Sequence, residues 1–250
     1  MSRNAVPVKD RAGVTPEFPV PVDLADEWLA DALGYLLDAC ELPRAALREL
    51  LEPPAHPSVP FGRAPTPSDD PAARRSRLDA ARLAIVTGAL AVEARLNRVL
   101  KLRDSGDWRT LAHLVPLEKF GLAPRLLRGL HTVPEQSRLS RLAAELFELR
   151  AELVEAGIGP SAALEVADDP DRRFLPGHAR AMVEASATIC AFLATLADRD
   201  DETETAQLVQ RAARALAQRA ETSSIMGGPI APRRDWGWND VDFPPDLVGA

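Results

Sequence analysis

Apolar positions along the chain recur three and four residues apart, the period of a helix that buries one face. In DLADEWLADALGYLLDAC, Leu24, Trp28, Leu33, Leu36 and Leu37 keep that spacing, and Asp23 is placed to cap the helix start. ELPRAALRELLE predicts a second, short helix with Pro43 in its first turn and Leu47, Leu50 and Leu51 inward. A long helix is predicted from Pro71 to Arg103, striped by Leu78, Ile85, Ala89, Val92, Leu96 and Val99. WRTLAHLVPLEKFGLAPRLLRGL predicts two short helices, broken by Pro116 and by a turn over Gly121 to Pro124. Pro134 to Ala156 carries Leu139, Leu142, Leu146, Leu149 and Leu153 as a core seam, and GIGP stops it. A further helix over Gly177 to Ala197 turns Val183, Ser186, Ile189, Cys190, Leu193 and Leu196 inward. The charged run DRDDET ends it, and Thr203 to Ala220 resumes as an alanine-rich helix.

Prolines divide these patterns into segments. Residues 1–22 hold four prolines and no helical period, which predicts a disordered, mobile arm. Seven prolines between Pro53 and Pro71 predict a linker, because proline lacks the amide donor that helix and sheet interiors need. The expected organisation is an arm (1–22), an N-terminal helical hairpin (23–52), a linker (53–70), a bundle of four to five main helices (71–220) and an extended tail (221–250). An Asp- and Pro-rich loop over Gly157 to Pro176 interrupts the bundle. The fold class is all-α.

Composition narrows the function classes. Aromatic residues make only 5% of the chain, too few for the aromatic platforms of a sugar-cleaving site. The net charge of −7 argues against a general nucleic-acid binder, although a local basic groove remains compatible with it. Cys40 and Cys190 fall inside apolar helical patterns and read as buried, reduced thiols. No basic-then-apolar leader and no spanning apolar run is seen, so a soluble, cytoplasmic protein without membrane contact is expected. There is no glycine-rich phosphate loop, HExxH or GxSxG. His56, His113, His131 and His178 lie in separate segments, so neither a metal nor a cofactor is expected. His113 reads as a partly buried structural histidine and the other three as surface or loop residues. The carboxylate clusters Asp168/Asp169 and Asp198/Asp200/Asp201 read as solvated charge.

Three segments carry a resemblance. ARLAIVTGALAVEARLNRVL places Glu93 and Asn97 one turn apart in an apolar helix. LVPLEKFGLAPRLLRGL follows, and then ELFELRAELVEAG, a loop, and ARAMVEASATICAFLATLA. In this order, over about residues 75–200, the chain resembles the HEPN superfamily of nucleotide-binding helical domains. The resemblance implies a four- or five-helix bundle, often dimeric, of the kind found in prokaryotic toxin–antitoxin and defence systems. Many such proteins are metal-independent ribonucleases in which an arginine is followed, after four to six residues, by a histidine. The histidine moves protons around the ribose 2′-hydroxyl and the arginine holds developing phosphate charge. Here Arg150 matches the arginine, while the histidine position falls on Glu155, or on Ala156 and Gly157 at longer spacings. Glutamate is a poor acid at neutral pH and repels phosphate.

The resemblance therefore implies a catalytically degenerate binding and assembly module. Arg150, Glu93 and Asn97 are its candidate ligand- or RNA-binding residues, and Arg150 and Glu155 its only catalytic candidates. RNA, a nucleotide, a protein partner and a homodimer are the candidate associations. A metal-independent ribonuclease centred on Arg150 and a helical scaffold without a nucleic-acid role are the alternatives. In the tail, RRDWGWNDVDFPPDLV sets Trp236, Trp238 and Phe243 close together, so the segment either folds back or docks on a partner.

Overall fold

In the computed structural model the described residues are 23–51, 70–103, 111–155 and 175–222. Seven α-helices account for most of them: α1 (Leu24–Ala39), α2 (Ala46–Leu51), α3 (Pro71–Arg103), α4 (Pro116–Arg128), α5 (Arg138–Glu155), α6 (Pro176–Leu196) and α7 (Glu204–Thr222). A 3-10 turn over Asp200–Thr203 joins α6 to α7. No strand occurs among the described residues, and the chain is an all-α bundle. The arm, the proline-rich linker, most of the Asp- and Pro-rich loop, His56 and the aromatic tail lie outside them.

Local chemistry sets most helix starts. Asp23 Oδ1 accepts from the Ala25 amide at 3.0 Å, and Asp70 Oδ1 from the Ala72 amide at 3.3 Å. Ser137 Oγ accepts from the Ser140 amide at 3.1 Å, so α5 begins at Arg138 and not at Pro134. Pro116 and Pro176 occupy first turns, where a missing amide costs nothing.

α3 is the central element and packs against α1, α4, α5 and α6. α1 runs antiparallel along it: Asp26 meets Arg95, Ala32 lies beside Gly88, and Glu41 meets Arg77. α2 makes its main contact with α7 and α1 shares the core of α3, α6 and α7, so both helices pack within the bundle. α6 is a strongly apolar helix. Among the described residues it alone is long and apolar enough to cross a membrane, and most of it is buried inside the bundle. The expected seams of α3, α5 and α6 are largely buried, with Leu78 and Leu139 half-buried at their edges. Both cysteine thiols are pushed up to about 12 by burial, which keeps them protonated and unreactive at neutral pH.

Three expectations are corrected. Leu24 is exposed, because Ala25 and Leu29 take the inward face of the first turns of α1. His113 is exposed in the turn before α4 and has no structural burial. Gly121 to Pro124 does not break the chain, since α4 continues through it to Arg128. A proline inside a helix costs about 3 kcal/mol. Burial of Phe120, Ala123, Pro124 and Leu127 offsets this, since each large apolar side chain contributes about 1.5–3 kcal/mol. Arg128 at the end of α4 also donates to the Leu196 and Thr195 carbonyls at 2.7 and 3.0 Å, capping α6 and holding α4 in place.

Candidate functional site

Glu93 and Asn97 stand one turn apart on α3, and each receives a cation from a different neighbouring helix. Arg150 of α5 places Nη1 2.8 Å from Glu93 Oε2. Lys119 of α4 donates from Nζ to Asn97 Oδ1 at 3.0 Å. The result is a short polar ladder at the junction of α3, α4 and α5, inside a largely apolar set of contacts. Lys119 is 4% exposed, whereas the Glu93 and Arg150 side chains keep 26% and 29% of their surface in solvent. One rung is therefore part-buried around an enclosed ammonium, and the other is reachable from solvent. Together the four side chains carry two positive charges against one negative.

The structure thus brings Arg150, Glu93 and Asn97 together and leaves Glu155 out. Glu155 is exposed in the last turn of α5, five residues from Arg150 and about 140° around the helix. Ala151, beside the arginine, is exposed too. His178, in the first turn of α6, places Nε2 3.5 Å from Glu145 Oε1 of α5. Glu145 is likewise five residues from Arg150, and it meets His178 of α6. Among the described residues no group of His, Cys, Asp and Glu is arranged to hold a metal ion. Trp236, Trp238 and Phe243 lie outside the described residues.

A second charged cluster had no place in the sequence reading. Arg95 of α3 is fully buried. Its guanidinium meets Asp23 at 2.7 Å, Asp26 at 2.9 Å and the Glu202 carboxylate, and it donates to the Glu202 carbonyl at 3.3 Å. Arg98, one turn on, reaches Asp23 at 2.8 Å and Glu202 at 2.7 Å, and Arg199 closes on Glu202 as well. Three arginines and three carboxylates make a neutral clasp that ties the start of α1 to α3 and to the 3-10 turn. The signal was present in the period: Arg95 is three residues after Val92 and falls on the buried stripe.

Burial raises the Asp26 carboxyl above its ordinary value of 3.8 despite the pull of Arg95. The folded state therefore keeps a proton on Asp26 at pH values where the unfolded chain has lost it. Its contribution to stability is complete below 3.8 and is lost as pH rises through the raised value. Asp26→Asn removes that loss. From pH 3.8 upward, the variant's unfolding free energy should climb more steeply than that of the parent, measured by urea denaturation across a pH series. Parallel curves would contradict the assignment.

No family model matches the chain, and no match is found among curated proteins or solved structures.

Proposed function

We propose that this chain is a catalytically degenerate HEPN-like module that works by binding and assembly in a prokaryotic defence or toxin–antitoxin setting. Its ligand is RNA, a nucleotide or a protein partner, engaged at the junction of α3, α4 and α5. The observation that carries this reading is the partly exposed Arg150–Glu93 pair beside the part-buried Lys119–Asn97 bond. A partly exposed ion pair contributes only about 0–1 kcal/mol, so a ligand phosphate or carboxylate can replace Glu93 as the partner of Arg150 at small cost. The guanidinium fork suits either anion. Ribose-directed cleavage also needs a group that both takes and gives a proton near neutral pH. Arg150 is paired with a carboxylate, and the neighbouring rung offers an amide and an ammonium.

The test is incubation of the full-length protein with labelled single-stranded RNA in EDTA, beside Arg150→Ala. Binding without cleavage is expected, weakened about tenfold or more by the substitution, since a charged hydrogen bond contributes roughly 1.5–3 kcal/mol. Cleavage that Arg150→Ala abolishes would establish the ribonuclease alternative. If RNA and nucleotides neither bind nor react, the scaffold alternative stands.

A further inference from the structure

Charge is shared unequally between the two ends of the bundle. Arg77 pairs with Glu41, Arg214 Nε stands 2.9 Å from Glu184 Oε1, and Gln210 donates to Thr188 at 3.0 Å. These pairings, with the packing of α2 on α7 and of α1 on α6 and α7, gather the end of α1, α2, the first part of α3, the start of α6 and the second half of α7 at one end. Over residues 38–49, 70–82, 176–184 and 207–218, nine arginines face six carboxylates, in a chain whose net charge is −7. Arg44, Arg74 and Arg211 are exposed there and make no ion pair among the described residues. The Arg44 guanidinium lies across α1 at Gly34, its Nη2 2.8 Å from where a Cβ would stand.

α7 ends at this same end, at Thr222, and residues 223–250 follow it. From Asp235 onward those residues contain four aspartates, no lysine or arginine, and Trp236, Trp238 and Phe243. Guanidinium groups are the side chains that take both kinds of partner, stacking on aromatic faces and pairing with carboxylates. Thr222 and Trp236 are fourteen residues apart. That span reaches at most about 50 Å, ample to cross a bundle end whose helices pack roughly 8–10 Å apart. A short tether also supplies a local concentration in the millimolar range, which favours the chain's own arginines over those of a second copy.

We propose that segment 235–247 docks in cis on the arginine-rich end formed by α2, α3 and α7, its rings stacked on guanidinium planes and its aspartates paired with them. This surface is separate from the Arg150 junction, and the inference stands whether or not that junction binds RNA.

The experiment uses full-length protein with Trp28→Phe and Trp108→Phe, so that only Trp236 and Trp238 fluoresce. Acrylamide quenching is measured in this background, with Arg44→Glu, Arg74→Glu and Arg211→Glu added together, and at high salt. Docking predicts that quenching rises about two- to threefold with the arginine reversals and with salt, which screens exposed pairs. Reversal of Asp240 and Asp242 to lysine in the triple-glutamate protein should restore protection, which separates lost docking from lost folding. Quenching equal in all proteins to that of a free 232–250 peptide would overturn the proposal. Protection that fades on dilution would also overturn it, by placing the tail on a second copy.

Discussion

Arg95→Ala should destabilise the protein by about 3–5 kcal/mol, the cost of leaving buried charge without its partner. For a domain of this size that is a fall in Tm of roughly 6–20 °C. The reason is the geometry of the clasp. Asp23 and Glu202 are each mostly buried and the Asp26 side chain is 27% exposed, and all three converge on one guanidinium with no solvent exposure. Removing that guanidinium leaves three carboxylates against Arg98 and Arg199, whose contacts within the clasp are with Asp23 and Glu202. Asp23 is also the cap of α1, so the damage spreads to the start of that helix. Arg95→Lys should fall between parent and alanine, because a single ammonium cannot serve three acceptors with the reach of a fork. Chemical denaturation of the three proteins measures this directly. An alanine variant within about 1 kcal/mol of the parent would show that desolvation already cancels the clasp.

Gly88→Val should cost about 1–3 kcal/mol or more, through overpacking where α3 crosses α6. A Cβ built on Gly88 stands 2.7 Å from Ser186 Oγ and 3.3 Å from Ser186 Cβ, with Ala32 Cβ of α1 at 4.0 Å. Ser186 is fully buried and its hydroxyl donates to the Met182 carbonyl at 2.9 Å, so it has little freedom to move away. Glycine at this position gives up about 0.5–1 kcal/mol of helix propensity relative to alanine, and the close approach of the two helices is what that cost permits. Ser186→Gly should recover much of the loss in a double variant, with a coupling of about 0.5–3 kcal/mol. Additive losses in the double-mutant cycle would mean that valine is accommodated without touching Ser186.

These two positions also show how legible the protein was. Gly88 sat unmarked in an apolar helix, since the need for glycine came from Ser186 on another helix. The polar ladder was half legible. Glu93, Asn97 and Arg150 stood out as polar residues in apolar helices, and they do meet at one junction. Nothing in LVPLEKFGLAPRLLRGL marks Lys119, which completes it. The clasp was legible only in Arg95, which falls on the buried stripe; its acids sit at a helix start and in an interhelical run, where solvated charge is the usual outcome.

By itself the sequence determined that the described chain is helical, where most helices begin and end, and which stripe of each turns inward. Those properties are local: they follow from the 3.6-residue period, from caps such as Asp23 and Asp70, and from prolines within a turn of them. Only the tertiary structure decided which charges meet. Arg95 finds Asp26 across 69 residues and Glu202 across 107, and Arg150 finds Glu93 on a helix laid down before it. A helical period states which way a side chain faces, and only the packing of the helices states what it faces.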